Sequence, residues 1–310
     1  MKLGTGTLKD FLSLNQGKGK YTWAEIGNAY NRSGNAARKV WSRMLKQTPT
    51  VEEYFPTLPN QEKKDGLYLV LGCVHAPFVN KSFWKAMLKL ARDRRNEISG
   101  LILNGDFLDL HSLSAYDKGK LAIKDVNLGM EYEGGRAYLD SILTKLDGDI
   151  YKAFMYGNHE FRYNKYMKQV DNSKLGGALP APEDALNLKG KGFEVYTDWV
   201  NDEIQLGDLT IIHGEFCNVY PTKKYIDVFK RNFLFNHTHR VQMYREGEHV
   251  AYNAGTMADF DSPVFNYASK AMKKTWSNAF AIVNLYKGTT STDIVVWNED
   301  HFSYGGKIYT

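Results

Sequence analysis

Five times between residues 66 and 240, a short apolar run stops abruptly in residues that can do chemistry. Residues 67–71 (LYLVL) lead into Gly72-Cys73-Val74-His75, and 101–103 (LIL) into Asn104-Gly105-Asp106. Residues 151–156 (YKAFMY) lead into Gly157-Asn158-His159-Glu160, 209–212 (LTII) into His213-Gly214, and 233–235 (FLF) into Asn236-His237-Thr238-His239. Runs this short, closed by polar or glycine residues, predict buried strands followed by loops. Between the first two runs, Trp84, Met87, Leu88 and Ala91 recur at helical spacing within 81–95. A strand, a helix and a strand predict a parallel pair joined by a crossover. Ligands of such sheets sit beyond the carboxyl ends of the strands, which is where all five polar segments fall. Farther on, 279–286 (AFAIVNLY) and 293–297 (DIVVW) predict two more strands around a Gly-Thr-Thr-Ser turn region. No repeat of solenoid period interrupts the pattern.

The first 50 residues are built differently. Residues 21–46 (YTWAEIGNAYNRSGNAARKVWSRMLK) read as two short helices around a turn. Trp23, Ile26, Gly27 and Tyr30 share a face of the first; Ala36, Ala37, Val40, Trp41 and Met44 give the second a packing face. Ser33 or Asn35 is the expected N-cap. Arg38, Lys39, Arg43 and Lys46 fall on the other side. This resembles a helix-turn-helix whose second helix, 35–46, reads a nucleic-acid groove. The alternative is a helical hairpin with a solvated basic face. Residues 51–64 (VEEYFPTLPNQEKK), with Pro56 and Pro59, read as an extended connector. The expected organisation is a helical unit over 1–50, a linker over 51–65 and an α/β domain over 66–310.

Composition narrows the class further. At 43% hydrophobic and 24% charged residues, the chain is ordinary for a soluble globular protein. No apolar run approaches the roughly 18 residues of a membrane span, so no membrane partner is expected. The N-terminal segment lacks the apolar core of a signal peptide. Two cysteines make no disulfide framework and favour a reducing compartment. The expected location is cytoplasmic, in a bacterial or phage-infected cell. The net charge of +5 is compatible with a polyanionic partner without demanding one.

A lone histidine is usually a packing residue, but five of the eight here fall inside the five segments. In chain order the segments read Cys-x-His, Gly-Asp-x-x-Asp, Gly-Asn-His-Glu, His and Asn-His-x-His. That set resembles the calcineurin-like metallophosphoesterases, from about residue 66 to the C-terminus. The resemblance implies a four-layer α-β-β-α sandwich with the site at the strand ends, preceded here by the small helical unit. It implies two divalent or trivalent metal ions: Zn, Fe or Mn. Cys73, His75, Asp106 and His239 would hold one ion. Asp106, Asn158, His213 and His237 would hold the other, with Asp106 bridging. Such bridging sets two cations roughly 3.5–4 Å apart, close enough to share a hydroxide for in-line attack on phosphorus. By the same resemblance His159 stabilises the transition state and protonates the leaving oxygen, and Asp109 is its orienting carboxylate. Arg162 could reach a substrate phosphate, against the plainer reading of a structural arginine.

Two positions depart from the family pattern. Its first motif opens with Asp, where this chain has Cys73. Lariat RNA debranching enzymes resemble the same superfamily and also begin Cys-x-His, so a working site with Cys is credible. A thiolate there favours Zn or Fe. The other reading of Cys73 is a small apolar filler in an impaired first site. The last motif opens with Gly, where this chain has Asn236; Asn tolerates positive φ best among the other residues, so the turn is expected to survive. Cys217 is expected to be an ordinary buried cysteine. The phosphoprotein phosphatase branch shows Asp-Arg-Gly where this chain has Asp109-Leu110-His111, which argues against a Ser/Thr phosphatase.

These readings favour a metal-dependent phosphodiesterase acting on DNA or RNA, with the basic N-terminal unit supplying salt-dependent affinity. Two alternatives stand beside it. One is a phosphatase or phosphodiesterase of small nucleotides or phosphoproteins. The other is a nucleic-acid-binding protein with an impaired metal site.

Overall fold

The structure, a computed structural model, describes residues 21–31, 33–47, 62–115, 126–169 and 178–310, without the side chains of 41–47. The connector proposed over 51–65 therefore lies outside the described residues up to position 61. By contacts the chain divides into two compact units, Met1–Asn60 and Gln61–Thr310.

The first unit contains α1 (Trp23–Ala29) and α2 (Gly34–Gln47). Thr22 and Glu25 form a capping box on α1: Glu25 N–H donates to Thr22 Oγ1 at 3.2 Å, and Thr22 N–H to the Glu25 carboxylate at 2.8 Å. Ser33, not Asn35, caps α2, accepting from Ala36 N–H at 3.1 Å. Ile26 and Ala37 are buried between the helices, with Trp23, Tyr30 and Val40 packed around them. A Cβ at Gly34 would lie 2.9 Å from Trp23 backbone atoms, so only glycine lets the two helices approach this closely. Arg38 and Lys39 are exposed. The helix continues through Arg43 and Lys46, whose side chains lie outside the description.

In the second unit, β1 (Gly66–Leu71), α3 (Lys81–Asp93), β2 (Ile98–Asn104), α4 (Leu128–Leu143) and β3 (Tyr151–Met155) follow in turn. Then come α5 (Phe161–Met167), α6 (Pro182–Ala185), β4 (Glu194–Tyr196), β5 (Ile204–Leu206), β6 (Leu209–Ile211), α7 (Pro221–Phe229) and β7 (Asn232–Phe235). The chain ends through β8 (Val241–Glu246), β9 (His249–Ala254), α8 (Lys270–Lys273), β10 (Ala279–Tyr286), β11 (Thr289–Val296), β12 (Phe302–Tyr304) and β13 (Lys307–Tyr309). A six-stranded sheet has the order β11-β10-β1-β2-β3-β4; a five-stranded one has β5-β6-β7-β9-β8. β1 and β2 are parallel, with α3 as the crossover.

Alternation along the strands sorts residues between layers. Tyr68, Val70, Ile102 and Met155 pack with Leu206, Ile211 and Leu234 to form the core between the sheets. Leu69, Leu71, Leu103 and Phe154 point the other way, onto Phe83, Met87 and Leu90 of α3 and Leu139 and Ile142 of α4. Phe233 and Phe235 cover the outer face of the second sheet with Tyr225 and Ile226 of α7. The result is the expected α-β-β-α sandwich. One turn differs from expectation. Tyr286 pairs with Thr289, so the β10–β11 hairpin turns on Lys287-Gly288, both at positive φ, and the Thr-Thr-Ser segment is already strand. Among the described residues no helix is long and apolar enough to cross a membrane.

Candidate metal centre

All five polar segments converge at one end of the two sheets, and their backbones are strained to get there. Five of the seven expected ligands have left-handed backbone: Cys73 (φ 48°), His75 (54°), Asp106 (50°), His237 (46°) and His239 (61°). Side-chain-bearing residues enter that region at a cost of about 1–3 kcal/mol each, and such strain gathers at functional sites. Cross-loop bonds hold it: His75 N–H donates to Asp106 O at 2.8 Å, Cys73 N–H to Gly105 O at 2.9 Å, and Ser277 N–H to His239 O at 2.9 Å. Asn236 is not among the left-handed residues; the turn is carried by His237 instead. The Asn236 side chain is a buried strut, accepting from Asn104 Nδ2 at 3.0 Å and donating to Gly255 O at 2.9 Å.

Three histidines each pin Nδ1 on a protein acceptor and leave Nε2 to the centre. His75 Nδ1 lies 3.0 Å from Asp109 Oδ2, His213 Nδ1 3.1 Å from Asn104 O, and His159 Nδ1 2.8 Å from Asp109 O. With those protons committed, the lone pairs point inward. His75 Nε2 faces His239 Nε2 at 3.0 Å, and His213 Nε2 lies 3.3 Å from Asp106 Oδ2 and 3.2 Å from Asn158 Oδ1. Ligand-type atoms of Cys73, His75 and His239 lie within 4.8 Å of one another, as do those of Cys73, Asp106 and His213. Cys73 thus sits between both groups of donors, fully buried.

Asp109 does two jobs. Its carboxylate belongs first to His75 and lies farther, 3.4 Å, from His159 Nδ1; its backbone carbonyl orients His159. Arg162 completes this corner, donating from Nη1 to Asp109 O at 3.0 Å and from Nη2 to His159 Nε2 at 3.2 Å. Glu160 holds the Asp106 loop in place: its carboxylate accepts from the backbone N–H groups of Asp106, Leu108 and Gly157 at 2.7–2.9 Å. Asp106 Oδ1 accepts from His159 N–H at 2.8 Å. A Cβ on Gly157 would fall 2.1 Å from Asp106 Oδ1, so a side chain there is incompatible with the position of the Asp106 carboxylate.

The electrostatics of the protein alone follow from this burial. Burial opposes the charge on Asp106, but His159 and His213 outweigh it and hold the carboxyl well below its usual range. Burial, then repulsion from neighbouring rings, lowers His75 and His239 and brings His237 down to about 4. These rings are neutral at neutral pH, the state that coordinates metal. Burial and the charge of Asp106 push the Cys73 thiol well up.

Several neighbours carry no motif. Phe265 and Trp276 stand edge-on to His75 and His239, with ring centroids 5.3 Å and 4.6 Å away. Trp199 lies about as close to both His213 (6.2 Å) and His237 (6.1 Å). Cys217 is exposed, not buried, with Sγ 3.0 Å from His237 Nε2. The only sequence signals here were aromatic density in 260–276 for Phe265 and Trp276 and a cysteine shortly after His213-Gly214; Trp199 had none. A cleft of about 240 Å³ opens above the centre, lined by Asp106, Asn158, His159, His237, Arg240 and Tyr267. A larger groove, about 540 Å³, lies at the opposite ends of β2 and β3 beside Arg95, Asp147 and Lys152, and none of the expected ligands lines it. Arg38 and Lys39 belong to the other unit and are described with it.

The donors suit metal ions. Imidazole, carboxylate, amide oxygen and thiol converge in one buried place, and Nδ1 of both His237 and His239 is sealed from solvent without a hydrogen-bond partner among the described residues.

No protein-family model matches the chain, and no curated protein matches it. Solved structures similar to it include vacuolar protein sorting 29 from Cryptosporidium parvum, at 13% identity and a TM-score of 0.36, covering 76% of this chain and 100% of that one. The phosphoesterase YfcE from E. coli aligns at 11% identity and 0.35, covering 73% and 98%. A putative 5'-nucleotidase from Staphylococcus aureus aligns at 14% and 0.39, covering 74% of this chain and 53% of that one. At scores this low, the reading of the centre rests on its own residues.

Proposed function

We propose that this chain is a dinuclear-metal phosphoesterase of the calcineurin-like kind, and that it cleaves phosphodiesters in DNA or RNA. The observation that carries the reading is the set of pinned histidines around Asp106. Three rings spend Nδ1 on protein acceptors, and Nε2 of His75 and His213 then meets His239, Asn158 and the Asp106 carboxylate in one buried place. Cys73, His75, Asp106 and His239 would hold one ion; Asp106, Asn158, His213 and His237 would hold the other. When bound, the ions supply Lewis acidity and a water acidic enough to attack phosphorus at neutral pH.

The chain's own residues do the rest. Asp109 fixes the His75 ring through its carboxylate and the His159 ring through its carbonyl. That leaves His159 Nε2 facing the cleft, where it can hold the proton passed to the leaving oxygen. Arg162 donates to that nitrogen in this structure, so when Nε2 takes up the proton the guanidinium is released and can meet a phosphate oxygen instead. Phe265 and Trp276 pack edge-on against the His75 and His239 rings and help bury them, and charge interactions are stronger where water is excluded. Support for a nucleic-acid substrate comes from the exposed Arg38 and Lys39 on α2 and from Tyr267, a largely exposed ring at the cleft that offers a base a stacking surface.

The test is elemental analysis of protein purified without chelators, with hydrolysis of bis-p-nitrophenyl phosphate measured beside p-nitrophenyl phosphate. We expect two metals per chain and activity on the diester. His159→Ala should lower kcat by about 100-fold or more, the usual worth of a positioned acid. One metal or none, with turnover appearing only in Cys73→Asp, would instead establish an impaired first site.

A further inference from the structure

His237 is held differently from His75, His159 and His213, whose Nδ1 atoms have protein acceptors; His239 shares the unpartnered Nδ1 but turns its Nε2 to His75. In His237, Nε2 is the nitrogen with a protein partner, Cys217 Sγ at 3.0 Å, and Nδ1 is the one sealed without a partner among the described residues. A neutral imidazole has one N–H to place. If the thiol donated to Nε2, that proton would sit on Nδ1, buried with nothing to receive it and turned against any cation. The reverse order wastes no donor. Nε2–H donates to the sulfur, and the thiol proton goes on to Glu215 O, 3.7 Å from Sγ. Glu215 is itself anchored, its N–H donating to Tyr225 Oη of α7 at 2.8 Å. The fully buried Tyr225 ring therefore fixes the carbonyl, the carbonyl directs the thiol, and the thiol directs the ring.

We propose that Cys217 is a positioning residue of the metal centre: it holds His237 as the Nε2–H tautomer and so presents the Nδ1 lone pair to the second ion. The proposal rests on the dinuclear reading above. Partners of this kind are worth about 10–100-fold in metal affinity, because they set both the tautomer and the angle of the ligand ring. The role needs a group that accepts from nitrogen and donates onward, which Ser can imitate and Ala cannot. It is also addressable from outside. Cys217 is exposed and Cys73 fully buried, so an alkylating reagent applied to the folded protein reaches one of the chain's two thiols.

The experiment has one arm without metal and one with it. In the first, long-range 1H–15N spectra of the metal-free full chain report which nitrogen of each histidine is protonated, with His237 assigned by its loss in His237→Asn. Wild type should show Nε2–H at His237; Cys217→Ala should shift it toward Nδ1–H, and Cys217→Ser should restore it. In the second, Co(II) is titrated into the same proteins by calorimetry and visible absorption. Cys217→Ala, or iodoacetamide treatment of the native chain, should weaken the second ion at least about tenfold. The first ion and the sulfur-to-cobalt band should stay unchanged. An unaltered tautomer in Cys217→Ala overturns the proposal, whatever the metals do. So does loss of the sulfur band on removing Cys217, since the thiol would then be a ligand itself. A wild type that takes up no second ion overturns the dinuclear reading and this one with it, whereas two ions bound equally by wild type and Cys217→Ala overturn this one alone.

Discussion

Cys73 stands where the motif this sequence resembles has Asp, and its surroundings give that exchange a measurable consequence. The thiol is fully buried, and burial together with the charge of Asp106 raises its pKa well above the ordinary range. At neutral pH it carries its proton, while His75, lowered by burial, carries none on its inward nitrogen. An ion binding through sulfur must therefore expel one proton, and an ion binding a carboxylate at the same position expels none. Calorimetry in buffers of different ionisation enthalpy should count about one proton released with the first ion in wild type, and apparent affinity should rise about tenfold per pH unit. Cys73→Asp should release close to none. Equal proton counts in the two proteins would show that Cys73 is a filler. The motif residues were legible because each ends an apolar run, where a polar side chain has no business unless it works. Asn236 was misread for want of its partners: positive φ passed to His237, and Asn236 became a strut to Asn104 and Gly255, neither of which is near it in sequence.

At the scale of elements, the strands and their order around the site were readable, because apolar runs of this length have few other ways to be buried. What could not be read was how the helices clamp the loops. Glu131, in the first turn of α4, reaches the short 3-10 turn at His111–Leu113, accepting from His111 N–H at 2.5 Å, from Ser112 N–H at 3.2 Å and from the Ser112 hydroxyl. That turn follows Asp109, so the clamp steadies the loop that orients two histidines. No spacing rule connects residues 111 and 131. Burial, with some help from the charge of Asp109, raises the Glu131 carboxyl to about 7 against its ordinary 4.5. A raised acid is one whose proton the folded state holds more tightly. The unfolded chain therefore binds fewer protons between the two values, and stability falls as pH climbs through that window. The loss is on the order of 3 kcal/mol at about 1.4 kcal/mol per pH unit. Urea unfolding in chelator should show wild type losing ground between about pH 4.5 and 7, while Glu131→Gln, with nothing to ionise, should be flatter. Parallel pH profiles would remove Glu131 from the account.

At the scale of the whole molecule, two compact units share one chain, and the question is whether the first works for the second. The helical unit's two helices and their turn were legible, with Ser33 one of the two caps expected, since a cap is a local signal that needs no tertiary context; the Thr22–Glu25 box was not read. The unit's purpose was not legible, because a basic helix face looks the same whether it meets phosphate or water. The two readings part in their response to salt. A face that neutralises phosphates displaces counterions, so log K falls with log salt by nearly one for each contact on duplex DNA and about 0.7 on single strands. Arg38 and Lys39 are both exposed on α2, so the full chain carrying Arg38→Glu and Lys39→Glu should bind nucleic acid more weakly. Its salt slope should also be shallower by about two contacts' worth, with no change in sequence preference. Fluorescence anisotropy on duplex and single-stranded oligonucleotides across a range of salt would read both quantities, with chelator present to keep the proposed metal centre empty. If affinity and slope are those of wild type, α2 is a solvated face. Substrate capture would then fall to Arg240, which lines the cleft, and to Arg162 beside His159, and the same measurement on Arg240→Glu would show it.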